Sequence, residues 1–399
     1  MRHATLLIAL LWACLAAGQT TLQTGSLADA WPPKQKVPDG WPTLRSFSKN
    51  FSHAFSHLDL SVTAGTTGIG VDASTTLNDV LSLRVGYAIM PRFSYRMHFG
   101  VEVGDDPETS EAKFNRLSGL LADFTGNKVD NVVDVDGTPT YWNWKLLVDV
   151  KPFRNKHWHL TGGLYYGSHE VARAVNAIED MPSMMAVSIY NNLYNRALNN
   201  DLSFELITGA SNDDDDDEGG NTKVYLEKLA QKLKDYGKMS IHMGEWAHDV
   251  YYDEDEYIVA PEGGIALWSE EENMEVLYPE GTVVCLHHKG DLKHAKGDAY
   301  RMTPDENSMV KAWALANRFK PYVGFGYGGR LLKSDPRWEI SFDCGAMFWG
   351  GVPKIVTHDG TDLVNDVVNV RGKVGDYVEV IKKFKVFPVL NLRITRRLF

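Results

Sequence analysis

Eight stretches of this chain alternate apolar and polar residues, and the last of them runs to the C-terminal Phe399. Residues two apart on a β-strand share a face, so each stretch predicts a strand with one apolar face and one polar or charged face. Such strands suit a barrel that contacts lipid outside and is polar inside, and a soluble core tolerates them poorly. The predicted strands are 58–65, 69–75, 80–89, 141–150, 157–167, 319–331, 337–349 and 387–399.

The sequence also excludes a membrane-spanning helix after its first twenty residues, because no run of about 18 uncharged apolar residues follows them. At 399 residues and 44% apolar content the chain is foldable throughout. We therefore predict an all-β fold: an eight-stranded antiparallel transmembrane β-barrel with a large mixed α/β extracellular insertion between its fifth and sixth strands.

The N-terminal segment resembles a secretion signal. Arg2 precedes an apolar run over 4–15, and the small residues Ala16 and Gly18 precede Gln19. This pattern predicts a signal peptide over 1–18, with lipidation of Cys14 as the alternative to simple cleavage. Residues 19–57, rich in Pro and Ser, form a predicted periplasmic lead-in to barrel strands one to five over 58–167.

The predicted extracellular insertion over 168–318 is strongly acidic. It holds 29 acidic and 13 basic residues, a net charge of −16 against −11 for the whole chain. Barrel strands six to eight follow it over 319–399. This balance argues against nucleic-acid binding, which requires clustered Lys and Arg. The predicted insertion is too long for a simple loop, so we expect it to carry structure of its own.

Connector lengths predict the orientation of the barrel. The long connectors follow strands three, five and seven, and bacterial barrels place long loops outside and short turns in the periplasm. We therefore expect a bacterial outer-membrane protein with extracellular loops and periplasmic termini. Beyond Pro91 the alternation resumes from Phe93 to Val103. It predicts that strand three continues as a ribbon above the membrane, with an extra strand as the alternative.

The predicted inward face carries five charges of each sign. Because eight strands enclose an interior that side chains just fill, and because unpaired buried charge is costly, we expect these residues to form a lumen charge network. A selective ion path is the functional alternative. The network residues are Asp59, Asp72, Arg84, Lys145, Asp149, Arg330, Glu339, Asp343, Arg393 and Arg397.

Aromatic residues gather near the predicted strand ends. Outer-membrane barrels carry aromatic girdles at both membrane interfaces, and the pattern predicts two such girdles here. The predicted interface aromatics are Tyr87, Trp142, Trp158, Tyr166, Trp338, Phe348 and Trp349.

The final strand FPVLNLRITRRLF, together with LSLRVGYAIMPRF, KLLVDVKPF and KPYVGFGYGGRL, resembles small outer-membrane β-barrel proteins of Bacteroidetes-type bacteria. The resemblance covers the strands but not the acidic insertion. It implies that Phe399 is a C-terminal signal read by the outer-membrane assembly machinery. One departure is that Arg397 and Thr395 stand where the usual pattern has apolar residues, so Phe399 follows a local slip of register.

Several motifs in the insertion could bind ions but have simpler explanations. The acidic runs 213–218, 253–256 and 270–272 could bind calcium, yet uninterrupted acidic runs are typically solvated. His287, His288 and His294 near Cys285 could bind zinc, but their spacing matches no zinc motif. We therefore predict no metal and no cofactor. Residues 222–236 have helical apolar spacing and predict an amphipathic helix.

The sequence shows no convincing catalytic set. Ser168, His169 and Glu170 are adjacent, and neighbouring strand residues diverge, so they make a poor triad. We expect no enzyme activity. The predicted function is a structural anchor that contacts outer-membrane lipid and displays an acidic region for an extracellular ligand. The alternatives are a small solute or ion pore and a lipid-modifying enzyme.

Overall fold

The computed structural model describes residues 57–78, 80–125, 129–154, 156–198, 202, 219–260, 265–269, 274–279, 281–383 and 386–398. Its strands, in chain order, are β1 Leu58–Gly65, β2 Gly68–Thr76, β3 Leu81–Ile89, β4 Tyr95–Val103, β5 Val132–Pro139, β6 Trp142–Val150, β7 Trp158–Gly167, β8 Glu170–Asn176, β9 Met239–Trp246, β10 Val250–Tyr251, β11 Glu256–Val259, β12 Ile265–Ser269, β13 Met274–Tyr278, β14 Val283–His287, β15 Leu292–His294, β16 Ala299–Met302, β17 Lys311–Leu315, β18 Phe319–Arg330, β19 Trp338–Phe348, β20 Lys354–Thr357, β21 Val367–Val368 and β22 Val386–Arg397. The helices are α1 Pro107–Thr125, α2 Met181–Leu198, α3 Gly219–Tyr236 and α4 Gly372–Lys383.

Eight antiparallel strands close into a barrel in the order β1, β2, β3, β6, β7, β18, β19 and β22. Closure comes from β1 pairing with β22, for example Val62 opposite Ile394. The predicted eight-stranded barrel is confirmed, and each predicted strand starts and ends within two residues of the observed one over the described part of the chain. The prediction succeeds because a two-residue alternation is a local signal that each strand carries by itself.

Burial alternates along the barrel strands as the sequence predicts. On β6, Trp144, Leu146 and Val148 are exposed on the outer face, while Lys145 and Asp149 are buried on the inner face. The tight turn between β1 and β2 requires Gly68, whose φ of 92° suits glycine. The barrel thus has an apolar exterior and a polar interior, the arrangement typical of outer-membrane barrels.

The two ends of the barrel differ. At the end that we call the terminus end, short turns join β2 to β3, β6 to β7 and β18 to β19, and β22 ends there. At the other end, the insertion end, three long connections follow β3, β7 and β19. All three long connections therefore leave the barrel on the same side.

These three connections build one further sheet, with the strand order β16, β9, β4, β5, β8, β17 and β20 and with β21 paired to β9. Strand β4 does not extend β3 as a ribbon: it pairs with β5 and with β9, where Val101 lies opposite Ile241. The predicted ribbon is wrong because the chain leaves strand conformation over residues 90–94 and re-enters it in another sheet. We call this sheet, its helices and its hairpins the insertion unit.

The insertion unit has an apolar core of its own. Met184, Val187 and Tyr190 of α2 are buried in it together with Val103 of β4 and Met239 of β9. The helix predicted over 222–236 is confirmed as α3. Three two-stranded hairpin sheets, β10 with β15, β11 with β14 and β12 with β13, complete the unit.

Among the helices of the described residues, none is long and apolar enough to cross a bilayer.

Candidate functional site

The centre of the barrel interior is a network of buried ion pairs. Arg84 lies between two carboxylates, with Nη2 2.9 Å from Asp149 and Nη1 3.2 Å from Asp343. Arg393 contacts the same two carboxylates at 3.6 and 3.5 Å. All four residues are buried, so each charge depends on the others for the solvation that water would otherwise provide. The structure thus brings together four of the predicted network residues.

His159 and Thr161 on β7 complete this network. The His159 ring Nε2 lies 2.6 Å from Asp343 Oδ1, and the Thr161 hydroxyl donates to Asp149 at 2.6 Å. Gly326 makes room for this contact, because a Cβ there would collide with the His159 ring and the Asp343 carboxylate. His159 is missing from the predicted charge network, although its alternation with the apolar Trp158 and Leu160 indicated an inward side chain.

A second buried pair joins β2 to β6. Lys145 Nζ lies 2.6 Å from Asp72 Oδ1 and donates to the Thr63 hydroxyl at 3.1 Å. Gly86 lies beside this pair, and a Cβ at this position would collide with the Asp72 carboxylate. The alternation therefore identified both members of a pair that, together with Thr63, links β1, β2 and β6 through the barrel interior.

The remaining predicted network residues lie near the terminus end, where water has access. Arg397 contacts Asp59 at 3.4 Å, which continues the predicted pairing. Arg330 and Glu339 lie opposite each other in the β18–β19 register, but neither forms an ion pair with a residue that the structure describes. Arg330 is exposed and Glu339 is half-buried, so water solvates both charges without an ion pair.

An apolar layer fills the interior beside the network. Its buried members come from five strands, and Phe387 packs against them. Lys320 is also buried inside the barrel, where its ammonium donates to Asn143 Oδ1 at 3.2 Å and to the Ser168 carbonyl at 3.3 Å. Sequence reasoning missed Lys320, although it shares its parity with inward Tyr322. The members of the layer are Leu147, Tyr165, Tyr322, Met347 and Val389.

Aromatic side chains form two groups on the outer face. Near the insertion end, Tyr87 packs on Trp142 and Trp144, with ring centroids 6.2 and 5.1 Å apart, and Tyr166 packs on Phe319 at 4.9 Å. Phe348, also predicted, is exposed there on β19. These positions fit the predicted girdle at this end.

The aromatic group near the terminus end contains predicted Trp158 and Trp338. Trp158 packs on Tyr327, and the Arg396 guanidinium lies 5.3 Å from the Trp338 ring. Trp349 differs from the prediction. Strand β19 ends at Phe348, and Trp349 packs edge-on against Phe387 next to the apolar layer, so it belongs to the mouth of the barrel and not to its outer face.

The insertion unit contains a cleft of about 720 Å³ between the ends of β9, β10, β15 and β16 and the loop over 359–366. Basic and acidic side chains alternate around it, and aromatic rings form part of its wall. Ser240 is buried there, and its hydroxyl has no hydrogen-bond partner among the described residues. The polar and aromatic lining includes Asp105, Lys238, Ser240, Trp246, His248, Asp253, Lys293, His294, Tyr300, Arg301, Asp359 and Asp366.

Hydrogen bonds fix the wall of this cleft. The Tyr300 hydroxyl donates to Asp359 at 2.8 Å, and its ring packs against Trp246, which stacks on His294 at 4.9 Å. Burial raises the pKa of Asp359, but hydrogen bonds from Thr357, Thr361 and Tyr300 outweigh it and lower that pKa overall. Asp359 therefore keeps its negative charge at neutral pH, and the cleft presents a fixed carboxylate.

The other predicted motifs are placed as follows. Phe399 and the acidic runs 213–218 and 270–272 lie outside the described residues. His287 stacks on Tyr252 with ring centroids 4.4 Å apart. The neighbours Ser168, His169 and Glu170 have separate partners. The Ser168 hydroxyl accepts from the Trp142 N–H, the His169 ring contacts the Ala316 carbonyl, and the Glu170 carboxylate accepts from Thr140 and Arg173.

Comparison with known proteins finds matches among solved structures, while no protein-family model and no curated protein matches the sequence. CarO2 of Acinetobacter baumannii is 12% identical, covers 86% of this chain and 98% of its own, and has a TM-score of 0.30. CarO of the same species is 13% identical over 87% and 99%, with a TM-score of 0.31. A major outer membrane protein of Thermus thermophilus is 11% identical over 86% and 99%, with a TM-score of 0.24.

Similarity at this level leaves the chemistry to be derived from this chain alone. The barrel interior offers ion pairs that satisfy one another and an apolar layer, which together support a solid cross-section. The insertion unit offers a cleft whose size lies in the range of about 300–1,000 Å³ common for small-molecule sites.

Proposed function

We propose that the protein is an outer-membrane anchor that displays the insertion unit at the cell surface, with the terminus end of the barrel in the periplasm. The observation that carries this proposal is the alternation of burial. Val62, Leu146 and Phe325 are each about half exposed on the outer face, while the charged residues between such positions are buried. A lipid environment favours this pattern, because the apolar side chains then contact acyl chains while the charged side chains are kept inside the barrel.

Strand length supports the same placement. The barrel strands contain 8 to 12 residues, and about 9–11 residues tilted by about 45° cross the hydrocarbon core of a bilayer. The aromatic groups at the two ends of the outer face lie where the headgroups of such a bilayer would be. We therefore expect outer-membrane lipid to be one partner. The outer-membrane assembly machinery is the second expected partner, because a closed barrel must be inserted into the membrane.

The filled interior supports an anchor rather than a pore. Ions crossing the barrel would have to pass the pairs around Arg84 and the buried rings of Tyr165 and Tyr322. Opening this path would expose or separate buried charges, at a cost of several kcal/mol for each ion. The barrel therefore acts by holding the insertion unit in place.

The cleft beside Trp246 and Tyr300 supports a binding role for the displayed unit. Charges of both signs and a buried Ser240 hydroxyl without a partner among the described residues favour a polar ligand with donors and acceptors over an apolar one. The cleft binds its ligand and does not catalyse a reaction on it. Extracellular polar solutes are the ligand class that such a cleft fits.

Two measurements test the anchor. The purified protein should change its mobility on a denaturing gel after boiling, since folded barrels resist the detergent, and it should give no discrete conductance steps in planar bilayers. Regular, reproducible conductance steps from the wild-type protein would contradict the anchor and favour a pore.

The orientation is tested separately in whole cells. Val259 on β11 is 60% exposed, so a Val259→Cys variant in a background without Cys14, Cys285 and Cys344 provides a single surface thiol. A membrane-impermeant maleimide should label it in intact cells. Labelling only after the outer membrane is opened would place the insertion unit in the periplasm.

A further inference from the structure

Three side chains with metal-binding atoms meet where the β11–β14 hairpin sheet begins. Asp255 directly precedes β11, Cys285 lies on β14, and His288 directly follows β14. Cys285 Sγ lies 3.5 Å from His288 Nδ1, and His288 Nδ1 lies 3.8 Å from Asp255 Oδ1. The three ligand atoms all lie within 4.8 Å of one another. Antiparallel pairing of β11 with β14 brings together residues that are about thirty positions apart in the chain.

The distance between the cysteine sulfur and the histidine nitrogen fits one tetrahedral ion. Zinc lies about 2.3 Å from thiolate sulfur and about 2.0–2.1 Å from imidazole nitrogen, so a tetrahedral angle places sulfur and nitrogen about 3.5 Å apart. The observed separation of Cys285 Sγ and His288 Nδ1 is 3.5 Å. The same reasoning gives about 3.4 Å between nitrogen and a carboxylate oxygen. Asp255 would therefore have to move closer to the ion, by about 0.4 Å relative to His288 Nδ1.

Neighbouring groups already orient the carboxylate. The backbone N–H of Lys289 donates to Asp255 Oδ1 at 2.7 Å, and the Tyr257 hydroxyl donates to Oδ2 at 3.3 Å. The His288 backbone N–H in turn donates to Asp291 Oδ2 at 2.7 Å, which fixes the turn that carries the imidazole. Hydrogen bonds of this kind hold ligands in place around protein metal sites and strengthen binding.

The local charge favours a cation. The Asp255 carboxylate belongs to the cluster itself, and the Asp291 carboxylate accepts from the His288 backbone N–H at 2.7 Å. A divalent ion bound there would stabilise the Cys285 thiolate by its charge. Binding would break the S–H bond, form a metal–sulfur bond and release the proton to solvent. Asp253, Glu254 and Glu256 add negative charge beside the site.

We propose that Asp255, Cys285 and His288 bind one thiophilic divalent cation, with Zn²⁺ as the preferred ion and a fourth position open to water or to an external ligand. Sulfur and nitrogen ligands select zinc and similar ions over Ca²⁺ and Mg²⁺, which prefer oxygen alone. The proposal departs from the prediction that the histidines near Cys285 bind no metal: only one of them takes part, and its partners come from the two strands of the hairpin sheet. The proposal does not depend on the anchor role.

Cobalt substitution tests the site directly. The reduced protein, folded in detergent, is titrated with Co²⁺ and then with Zn²⁺. One Co²⁺ per chain should bind, with a thiolate-to-cobalt absorption band in the near ultraviolet, and one equivalent of Zn²⁺ should remove the band. Uptake of cobalt without this band would overturn the proposal, because it would place the ion away from Cys285.

Matched variants assign the ligands. Cys285→Ser should abolish the band, whereas Cys344→Ser, which changes the outward cysteine of β19, should leave it unchanged. His288→Gln should weaken Zn²⁺ binding about tenfold or more, whereas His287→Gln should not, since that ring stacks on Tyr252. Heat-dependent gel mobility checks that each variant is folded. Equal zinc affinity in the Cys285 and Cys344 variants would refute the site.

Discussion

Lys145 Nζ and Asp72 Oδ1 lie 2.6 Å apart inside the barrel, with side chains 2% and 0% exposed. Apart from this pair, neither Asp72 oxygen has a hydrogen-bond partner among the described residues. The stability of the barrel therefore depends on the pair remaining together, since a buried charge without its partner is strongly destabilising.

Removing one partner of this pair gives the first prediction. Lys145→Met should lower the free energy of unfolding by about 3–5 kcal/mol, because it leaves the Asp72 carboxylate buried and uncompensated. Urea unfolding in lipid vesicles measures the change. The double variant Asp72→Asn with Lys145→Met should recover much of the loss. If the double variant is less stable than Lys145→Met, the pair does not act through its charges.

The second prediction concerns the space that glycine provides. Gly326→Ala should destabilise the barrel by about 1–3 kcal/mol, because the new methyl group meets the His159 ring and the Asp343 carboxylate. Gly162→Ala is the matched control, since a Cβ there meets nothing within 4 Å. Unfolding of the two variants under one set of conditions provides the comparison. Equal stability would contradict the packing described for the interior.

The third prediction follows from Asp359. Its folded-state pKa lies below the ordinary value of 3.8, so its charge contributes stability above about pH 4, and this contribution is lost as the pH falls through the folded pKa. Asp359→Asn should cost about 1–3 kcal/mol at pH 7, and the difference from wild type should shrink below about pH 4. Tryptophan fluorescence, with Trp246 next to Tyr300, follows unfolding of the insertion unit. A difference that stays constant down to about pH 2 would exclude this role.

The barrel could be predicted from the sequence because each strand carries its own signal. Leu146 and Val148 point outward and Lys145 and Asp149 point inward whichever strands lie beside them, and a two-residue period records this locally. The balance of positive and negative charge predicted that the lumen residues form ion pairs. It did not predict which of them come into contact, because Arg84 reaches Asp343 only through the closure and stagger of the whole barrel.

The insertion unit could not be predicted in the same way. Strand β4 pairs with β9 through Val101 and Ile241, and no local pattern records a partner so distant in the chain. The alternation of β4 matched that of β3, which made one long ribbon the simpler interpretation. The cleft and the cluster at Cys285 could not be predicted for the same reason, because both consist of residues that long-range strand pairing brings together.

The central claim is that the outer face of the barrel contacts lipid, and oxygen accessibility of spin labels tests it most directly. In a background with Cys14→Ser, Cys285→Ser and Cys344→Ser, labels are placed at Val62→Cys, Leu146→Cys and Phe325→Cys, with Val259→Cys in the insertion unit as the control. In reconstituted vesicles the three barrel labels should be accessible to oxygen but shielded from a water-soluble nickel chelate, and the control should be open to the chelate. Barrel labels that the chelate reaches as readily as it reaches the control would contradict the account.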